Sequence, residues 1–474
     1  MRSLALRLYY RLPAPARSIA ATLEGYYLRW WRYGPMSERL MHEAIEREHW
    51  TPGQWRAWQG ERLGLILERA ATRVPYYREQ WAARRRNGDR ASWELLENWP
   101  VLHKETLRQH PRAFVADDCS PRRMFHLRTS GTTGTPLELW RSHEAVRGVY
   151  GIGLARTRGW HGVGLRDRRA MLGGQLVVPV RQRRPPFWVW NAGLKQLYMS
   201  SYHLAPDLVP YYLDALARYG VVYLVGYASS LYALAQGALR EGRHDLKMAV
   251  ALSSSERLYT EQRDTIAAAF QCPVRETYGM AENVTMATEC PSGRLHLWPE
   301  IGIVEVVDEG RPVPLGGFGE FQCTGLMNPD MPLIRYHLAD CGRLDPGVEP
   351  CACGRTLPMV MNIEGRTTDL LLTRDGRPVF WVNPVLYGLP VRQAQFVQET
   401  LGRIVVRYVP GAGFSGDSAR AIIKRLRDRL GEIDVVLEQV AEVPRGAGQK
   451  LRSVICNVST EERAAVRGLQ PTAP

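Results

Sequence analysis

"RTSGTTGTPLEL", Arg128–Leu139, sets one Ser, four Thr and two Gly ahead of Pro136, with apolar segments on either side. Ser, Thr and Gly are ordinary loop residues, so a flexible linker is one reading. Linkers, however, tend to be longer and to sit between domains. A phosphate cradle is the other. Glycine lets the backbone approach an anion closely, while hydroxyls and backbone N–H groups supply donors. The G-x-x-x-x-G-K-[ST] pattern is absent, because Gly134 is followed by Thr135 and Pro136. A phosphate loop here is of another kind.

The chain has 474 residues, enough for two to three domains, and 45% hydrophobic residues, enough for a sizeable core. No apolar run is long enough to span a bilayer. The start, "MRSLALRLYYRLPAPARS", is broken by Arg7 and Arg11 and lacks the apolar core of a secretory signal. The default expectation is a cytoplasmic protein. Net charge is +14; Lys occurs at five positions and Arg supplies the other 57 cations. The charge is scattered, with no dense basic run interleaved with aromatics, which argues against nucleic acid as a partner. Residues 1–35 hold many Arg, Tyr and Trp but one acid, Glu24. They read as a packed N-terminal arm, with a peripheral membrane-surface helix as the alternative.

Helix and strand signals alternate through the middle. "APDLVPYYLDALARYG" is apolar at helical spacing and stops at Gly220; "VVYLVGY" reads as a buried strand; "ASSLYALAQGALREG" reads as a further helix. Such alternation predicts a layered α/β domain. Short strands joined by Gly/Pro turns follow in "IGIVEVVDEGRPV" and "FGEFQCTGL". Near the end, "LGRIVVRYVP", "GDSARAIIKRLRDRLG" and "IDVVLEQV" read as strand, helix and strand, a compact α+β unit.

Four more stretches join the opening loop. "ETYGMAEN" holds Tyr278, Gly279 and Glu282; "IRYHLADCGRL" holds Asp340; "IEGRTTDLLLTRDGRP" holds Gly365, Arg366 and Asp369; "VPRGAGQKLRSV" puts Lys450 in a Gly-rich turn. In this order they resemble the adenylate-forming superfamily of acyl–coenzyme A synthetases. That superfamily shows a Ser/Thr/Gly loop, Y-G-x-[ST]-E, Y-x-[ST]-G-D, G-R-x-x-D and a C-terminal Lys. "SSSERL", "GYASSLYALA" and "MPLIRYHLADCG" followed by "CACGR" are most similar to the phenylacetate–coenzyme A ligase and CapK-like branch. The resemblance covers roughly residues 100 to 455. Three positions depart from it: Ala339 stands for Gly before the acid, Leu137 for the Lys that often ends the phosphate loop, and Ala281 for the hydroxyl before Glu282.

The resemblance implies an α/β fold with a large multilayered adenylation domain, residues 1–364, a hinge at 365–372, and a small mobile α+β lid, 373–474. It implies ATP as substrate, with Thr129, Ser130, Gly131, Thr132, Thr133 and Gly134 holding the β- and γ-phosphates. Tyr278 and Gly279 would lie against adenine, Asp340 would accept from the ribose hydroxyls, and Arg366 would touch ribose or phosphate. Glu282 would bind Mg²⁺, which hard oxygen ligands suit. Lys450 would be the catalytic cation. Partners would be a small carboxylic acid and a thiol or amine acceptor, coenzyme A above all. An amide- or ester-forming ligase of cell-surface polysaccharide or specialised metabolite assembly is the alternative within the class. A degenerate nucleotide-binding scaffold is the alternative outside it, and a zinc-ribbon nucleic-acid binder is a third rival.

Eight cysteines lie at uneven spacing in a long chain, which argues against a disulfide framework. Cys290 and His296 in "ECPSGRLHLW", with Cys351 and Cys353 in "CACGR", make two Cys/His pairs that can close one tetrahedral Zn²⁺ site. Some CapK-like members are similar at these positions and bind zinc. With four protein ligands the metal would be structural. Buried thiols beside a surface His are the alternative, and Cys341 ranks as a spare ligand.

Overall fold

The computed structural model describes residues 8–128, 137–179, 181–366, 371–374, 378–379, 383–386, 389–444, 452–459 and 461–463. It divides into two compact units, residues 1–338 with 343–361, and residues 339–342 with 362–474.

The first unit is built on a sheet of thirteen strands among the described residues. Its centre is parallel: Gln196–Ser200, Arg169–Gly173, Tyr223–Gly226, Ala251–Ser254 and Val274–Gly279 lie side by side in that order. These strands are short, and the inner ones are mostly apolar, Tyr223–Gly226 wholly so, as strands covered on both faces tend to be. Helices Val209–Arg218, Ala228–Arg240 and Thr260–Phe270 connect them. The predicted helix–strand–helix run over residues 205–242 is therefore present. Tyr212, Leu213, Leu216, Leu231, Leu234, Ile266 and Phe270 are buried with Leu172, Leu197 and Leu224 in one core cluster. At about 25 cal/mol per Å² of apolar surface, such side chains each contribute on the order of 2 kcal/mol before entropy is charged against them.

Beyond Val274–Gly279 the sheet turns antiparallel through Met286–Glu289 and Leu295–Leu297. Its other edge, Trp188–Asn191, pairs antiparallel with Gln196–Ser200. The N-terminal helix Ala14–Arg32 lies on that edge: Ser18 Oγ accepts from Trp190 N (3.4 Å) and Thr22 Oγ1 from Ala192 N (3.1 Å). The expected N-terminal arm thus packs, and it shields a strand edge that would otherwise be open to pairing.

The second unit carries a four-stranded sheet in the order Asp434–Gln439, Arg403–Pro410, Val391–Thr400, Val454–Cys456. The helix Gly416–Leu430 buries Ile422, Leu426 and Leu430 with Phe396, Ile404 and Val406. Strand, helix and strand fall where the sequence predicts them, and Gly431 takes a positive φ of 80° just past the helix.

Candidate functional site

Three neighbouring parallel strands end on stretches singled out by sequence. Tyr223–Gly226 runs into Gly226–Ser229, Ala251–Ser254 into Ser253–Ser255, and Val274–Gly279 into Tyr278–Met280. Gly226 pairs with Ser253, and Ser253 with Glu276, so the three ends lie side by side. In open α/β sheets the crevice outside the carboxyl ends of the strands is where ligands bind. The hydroxyls of Ser229 and Ser253 are buried there without a hydrogen-bond partner among the described residues. Burying an unsatisfied hydroxyl costs about 1–3 kcal/mol, so a ligand that pairs with them gains accordingly.

Glu282 follows this strand end in a turn whose next residue, Asn283, has a positive φ of 52°. Its side chain is 6% exposed. Oε1 accepts from Lys104 Nζ at 3.1 Å and from the Tyr336 hydroxyl at 2.9 Å. Burial pushes the carboxyl pKa up, but the Lys104 charge and the two hydrogen bonds outweigh it, and the pKa lies below the ordinary carboxylate range. Glu282 is therefore an anion at neutral pH. A carboxylate offers about four lone-pair sites, so two donors leave capacity for a hard cation such as Mg²⁺.

Lys104 arrives by a local bridge. Leu102 pairs parallel with Tyr336, with Leu102 N donating to Arg335 O (3.0 Å) and His337 N to Leu102 O (2.9 Å). Two residues on, the short helix Lys104–Gln109 begins. Arg141 adds a second cation. Burial drops its pKa to about 10, the Glu282 charge counters that drop, and its Nη2 is buried without a partner among the described residues. With the Asn283 amide assigned from its neighbours, its oxygen accepts from Arg141 Nη1 at 2.9 Å. The sequence reading did not assign Lys104 and Arg141. The one available signal was that Lys104 is a lysine in a chain that overwhelmingly uses arginine.

Cys290, His296, Cys351 and Cys353 come together, their ligand atoms all within 4.8 Å of one another. Cys290 Sγ and Cys351 Sγ are 3.7 Å apart; Cys353 Sγ and His296 Nε2 are 3.5 Å apart. Tetrahedral zinc with ordinary bond lengths requires about 3.8 Å between sulfurs and about 3.6 Å between sulfur and nitrogen. The spacing fits. Each pair of cysteine-bearing turns is closed alike. Gly293 N donates to Cys290 O (2.9 Å) and Gly354 N to Cys351 O (3.0 Å), with φ of 80° and 77° at the two glycines. His296 Nδ1 lies 3.1 Å from Leu357 O, a pure acceptor, so Nδ1 carries the proton and Nε2 faces the sulfurs as a lone pair. Burial, reinforced by the Arg355 charge, lowers the His296 pKa to about 4 and keeps the ring neutral. Trp55 and Trp160 wall the cluster, and Glu48 ties it down, accepting from Trp160 Nε1 (2.6 Å) and Arg355 Nε (2.7 Å). Cys341 is not among the clustered ligands.

The AMP-binding enzyme family matches residues 62–326, more than half of the chain. The chain belongs to that family. Its relatives place it in the branch of CapK and the phenylacetate–coenzyme A ligases. CapK of Staphylococcus aureus is 26% identical over 384 residues, 78% of this chain and 82% of that protein. The phenylacetate–coenzyme A ligase of Thermus thermophilus is 27% identical over 479 residues, 89% of this chain and 99% of that protein. The crystal structure of 2-hydroxyisobutyryl-CoA ligase in the postadenylation state shares the fold, with a TM-score of 0.67 at 19% identity, covering 90% of this chain and 94% of that one. The chain is an ATP-dependent, AMP-forming ligase of the acyl-adenylate type.

Within this AMP-binding enzyme, residues 129–134 and Lys450 lie outside the described residues, as does the side chain of Arg366. The flanks of the stretch 129–136 are described. Phe125–Arg128 and Glu138–Arg141 form an antiparallel hairpin whose last pair is Arg128 and Glu138, joined by an ion pair. Leu137, one of the three departures from the resembled pattern, is fully buried. Tyr278 is half-buried and Gly279 exposed at the strand end. Asp340 is nearly buried in the strand Tyr336–Leu344.

Ala339, where the family pattern has Gly, sits at φ 60°. The left-handed region costs a residue with a Cβ roughly 1–2 kcal/mol. Restoring the family residue, Ala339→Gly, is therefore expected to stabilise the chain by about 1 kcal/mol, after the entropy lost to glycine's looser unfolded state. Urea unfolding of the variant beside the parent checks this; an unchanged or lower midpoint contradicts it.

Proposed function

We propose that the chain activates a small carboxylic acid with ATP and passes the acyl group to coenzyme A. The observation that carries the reading is the ionised Glu282, held by Lys104 and Tyr336 beside parallel strand ends that bury two unpaired serine hydroxyls. In the first half-reaction a substrate carboxylate oxygen bonds to the α-phosphorus of ATP, the bond to the bridging oxygen breaks, and pyrophosphate leaves. In the second the thiolate of coenzyme A attacks the acyl carbon and AMP leaves. Glu282 would hold the Mg²⁺ that accompanies ATP. The loop 129–134 would take the β- and γ-phosphates, Tyr278 and Gly279 the adenine, and Asp340 with Arg366 the ribose side. The four Cys/His ligands would hold one structural Zn²⁺. Zinc spends all four positions on protein ligands there, so it supplies rigidity and no open position for chemistry.

A second acceptor class stays open, as an expectation from the sequence resemblance to the CapK-like branch. An amine or a sugar hydroxyl would then replace the thiol in the second half-reaction. The first half-reaction is common to both readings, so its test comes first. Exchange of labelled pyrophosphate into ATP is expected with some member of a panel of carboxylic acids, and only with Mg²⁺ present. No exchange across a broad panel, with ATP still bound, would instead mark a nucleotide-binding scaffold. Glu282→Gln keeps the shape but removes the charge that Lys104 faces. Exchange is expected to fall by about 100-fold, with a raised Mg²⁺ requirement. Loss of exchange without any change in Mg²⁺ dependence would remove the metal role from Glu282.

A further inference from the structure

The N-terminal helix Ala14–Arg32 wears its amphipathic pattern inside out. Apart from Trp31 in the last turn, which is buried against Phe125 and His143, the face against the protein is small or polar. Ser18 and Thr22 accept from the backbone of the edge strand and the turn after it, and Arg29 Nη1 reaches Gly193 O (3.5 Å). A Cβ on Gly193 would collide with the backbone of Gly25 and Tyr26, so helix and turn meet main chain to main chain. That contact fixes which face looks outward. Outward lie Ile19, Leu23, Tyr26, Tyr27 and Trp30, all exposed, Leu23 at 67% and Trp30 at 76%. At 100° per residue they fall in an arc of about 100°. A helix lying on a globular protein ordinarily buries such a stripe and shows its polar side to water.

The surroundings of the stripe are mostly basic. Arg17 Nη2 donates to Gln182 Oε1 at 2.9 Å, which brings the loop with Arg181, Arg183 and Arg184 to the helix's first half; all three are exposed, as is Arg11. The hydroxyls of Tyr9 and Tyr10 anchor the preceding turn to Val177 O (3.2 Å) and Leu176 O (2.9 Å). The only acid in residues 1–35 is Glu24. A protein partner wants a rim of mixed polar groups. A rim of arginines around exposed Trp, Tyr, Leu and Ile matches an anionic bilayer surface, where aromatic rings sit at the headgroup level and cations meet lipid phosphates. No helix among the described residues is long and apolar enough to cross a membrane, so the fit is to the surface.

We propose that the outward face of the helix Ala14–Arg32, with the arginine loop 181–184 beside it, docks this ligase on anionic lipid bilayers. The helix would lie in the interface plane with Leu23 and Trp30 among the acyl-chain ends. An acyl-adenylate made there would form at a membrane surface, next to lipid-borne acids or acceptors.

The test is flotation of the full chain with phosphatidylcholine vesicles, with and without about one third phosphatidylglycerol. Binding is expected to the anionic vesicles, to weaken with salt, and to be at least about tenfold weaker to the neutral ones. Ile19→Ser, Leu23→Ser and Trp30→Ser together should reduce binding by about 100-fold, and Arg183→Glu with Arg184→Glu by about tenfold, with thermal unfolding unchanged in each. Binding that survives the triple variant overturns the proposal, as does the absence of binding to anionic vesicles at low salt. A concentration-dependent dimer dissolved by the triple variant would also overturn it, assigning the face to a second copy of the chain. The assay reads binding and not turnover, so its outcome is independent of the acid and acceptor.

Discussion

Cys351→Ser is expected to lower zinc content from about one per chain to well below one-half, and to destabilise the first unit by about 3 kcal/mol or more. Three features set this size. The ligand atoms already stand at the separations of a tetrahedral ion, so little strain offsets the bond that is lost. Burial pushes the free Cys351 thiol up to about 12, so without metal it stays protonated in an apolar cluster with Trp55 and Trp160. The turn after Cys351 and Cys353 is also the attachment point of an N-terminal stretch. Thr356 N donates to Glu48 O (2.9 Å), and His49 Nδ1 lies 3.1 Å from Gly354 O, so loosening the metal loosens the N-terminal segment with it. Metal analysis and thermal unfolding on the same preparation check the result. Full zinc content in the variant would sink this ligand set. Lost zinc with undiminished stability would show that packing alone holds the turns. Cys341→Ser, outside the cluster, should leave zinc content as it is.

What was legible in the sequence follows from how linear each pattern is. The strand-end stretches and Glu282 lie in short runs where the chemistry restricts residue type, so they stand out without coordinates. The Cys/His cluster was legible because each half pairs a thiol with a nearby ligand or thiol and a glycine three residues after a cysteine. Lys104 and Arg141 were not legible. Their approach to Glu282 depends on the Leu102–Tyr336 bridge and on a hairpin that starts well away in sequence. Nothing local to "HKETL" announces a partner 178 residues on. The exposed stripe of the N-terminal helix was half legible. Its periodicity is plain in sequence, but periodicity does not say which face is buried. That was decided by Ser18, Thr22 and the close approach at Gly193. Ala339 marks a further limit. The departure from glycine was visible, but its cost required the positive φ of the backbone.

Lys450→Ala is expected to reduce adenylation by about 100-fold or more, while acyl transfer from a separately supplied acyl-adenylate is largely spared. Lys450 is one of five lysines in a chain with 57 arginines, within the Gly-rich stretch "VPRGAGQKLRSV". The strand Val454–Cys456, which follows in sequence, pairs with Val391–Thr400 in the second unit. A compact ammonium can stand between a carboxylate and an α-phosphate as a point charge, where a planar guanidinium would crowd both. As the carboxylate bonds to phosphorus, negative charge gathers on the phosphate oxygens, and a preorganised cation stabilises that charge most at the transition state. The thiol attack that follows occurs at the acyl carbon, where no such charge gathers on phosphate, so the lysine is dispensable there. Lys450→Arg separates charge from shape: if fit matters as argued, it should recover little of the lost adenylation. Equal loss in both half-reactions would indicate general misfolding, which urea unfolding would reveal. Adenylation undiminished in Lys450→Ala would remove this residue from the mechanism and leave Lys104 and Arg141 as the cations beside Glu282.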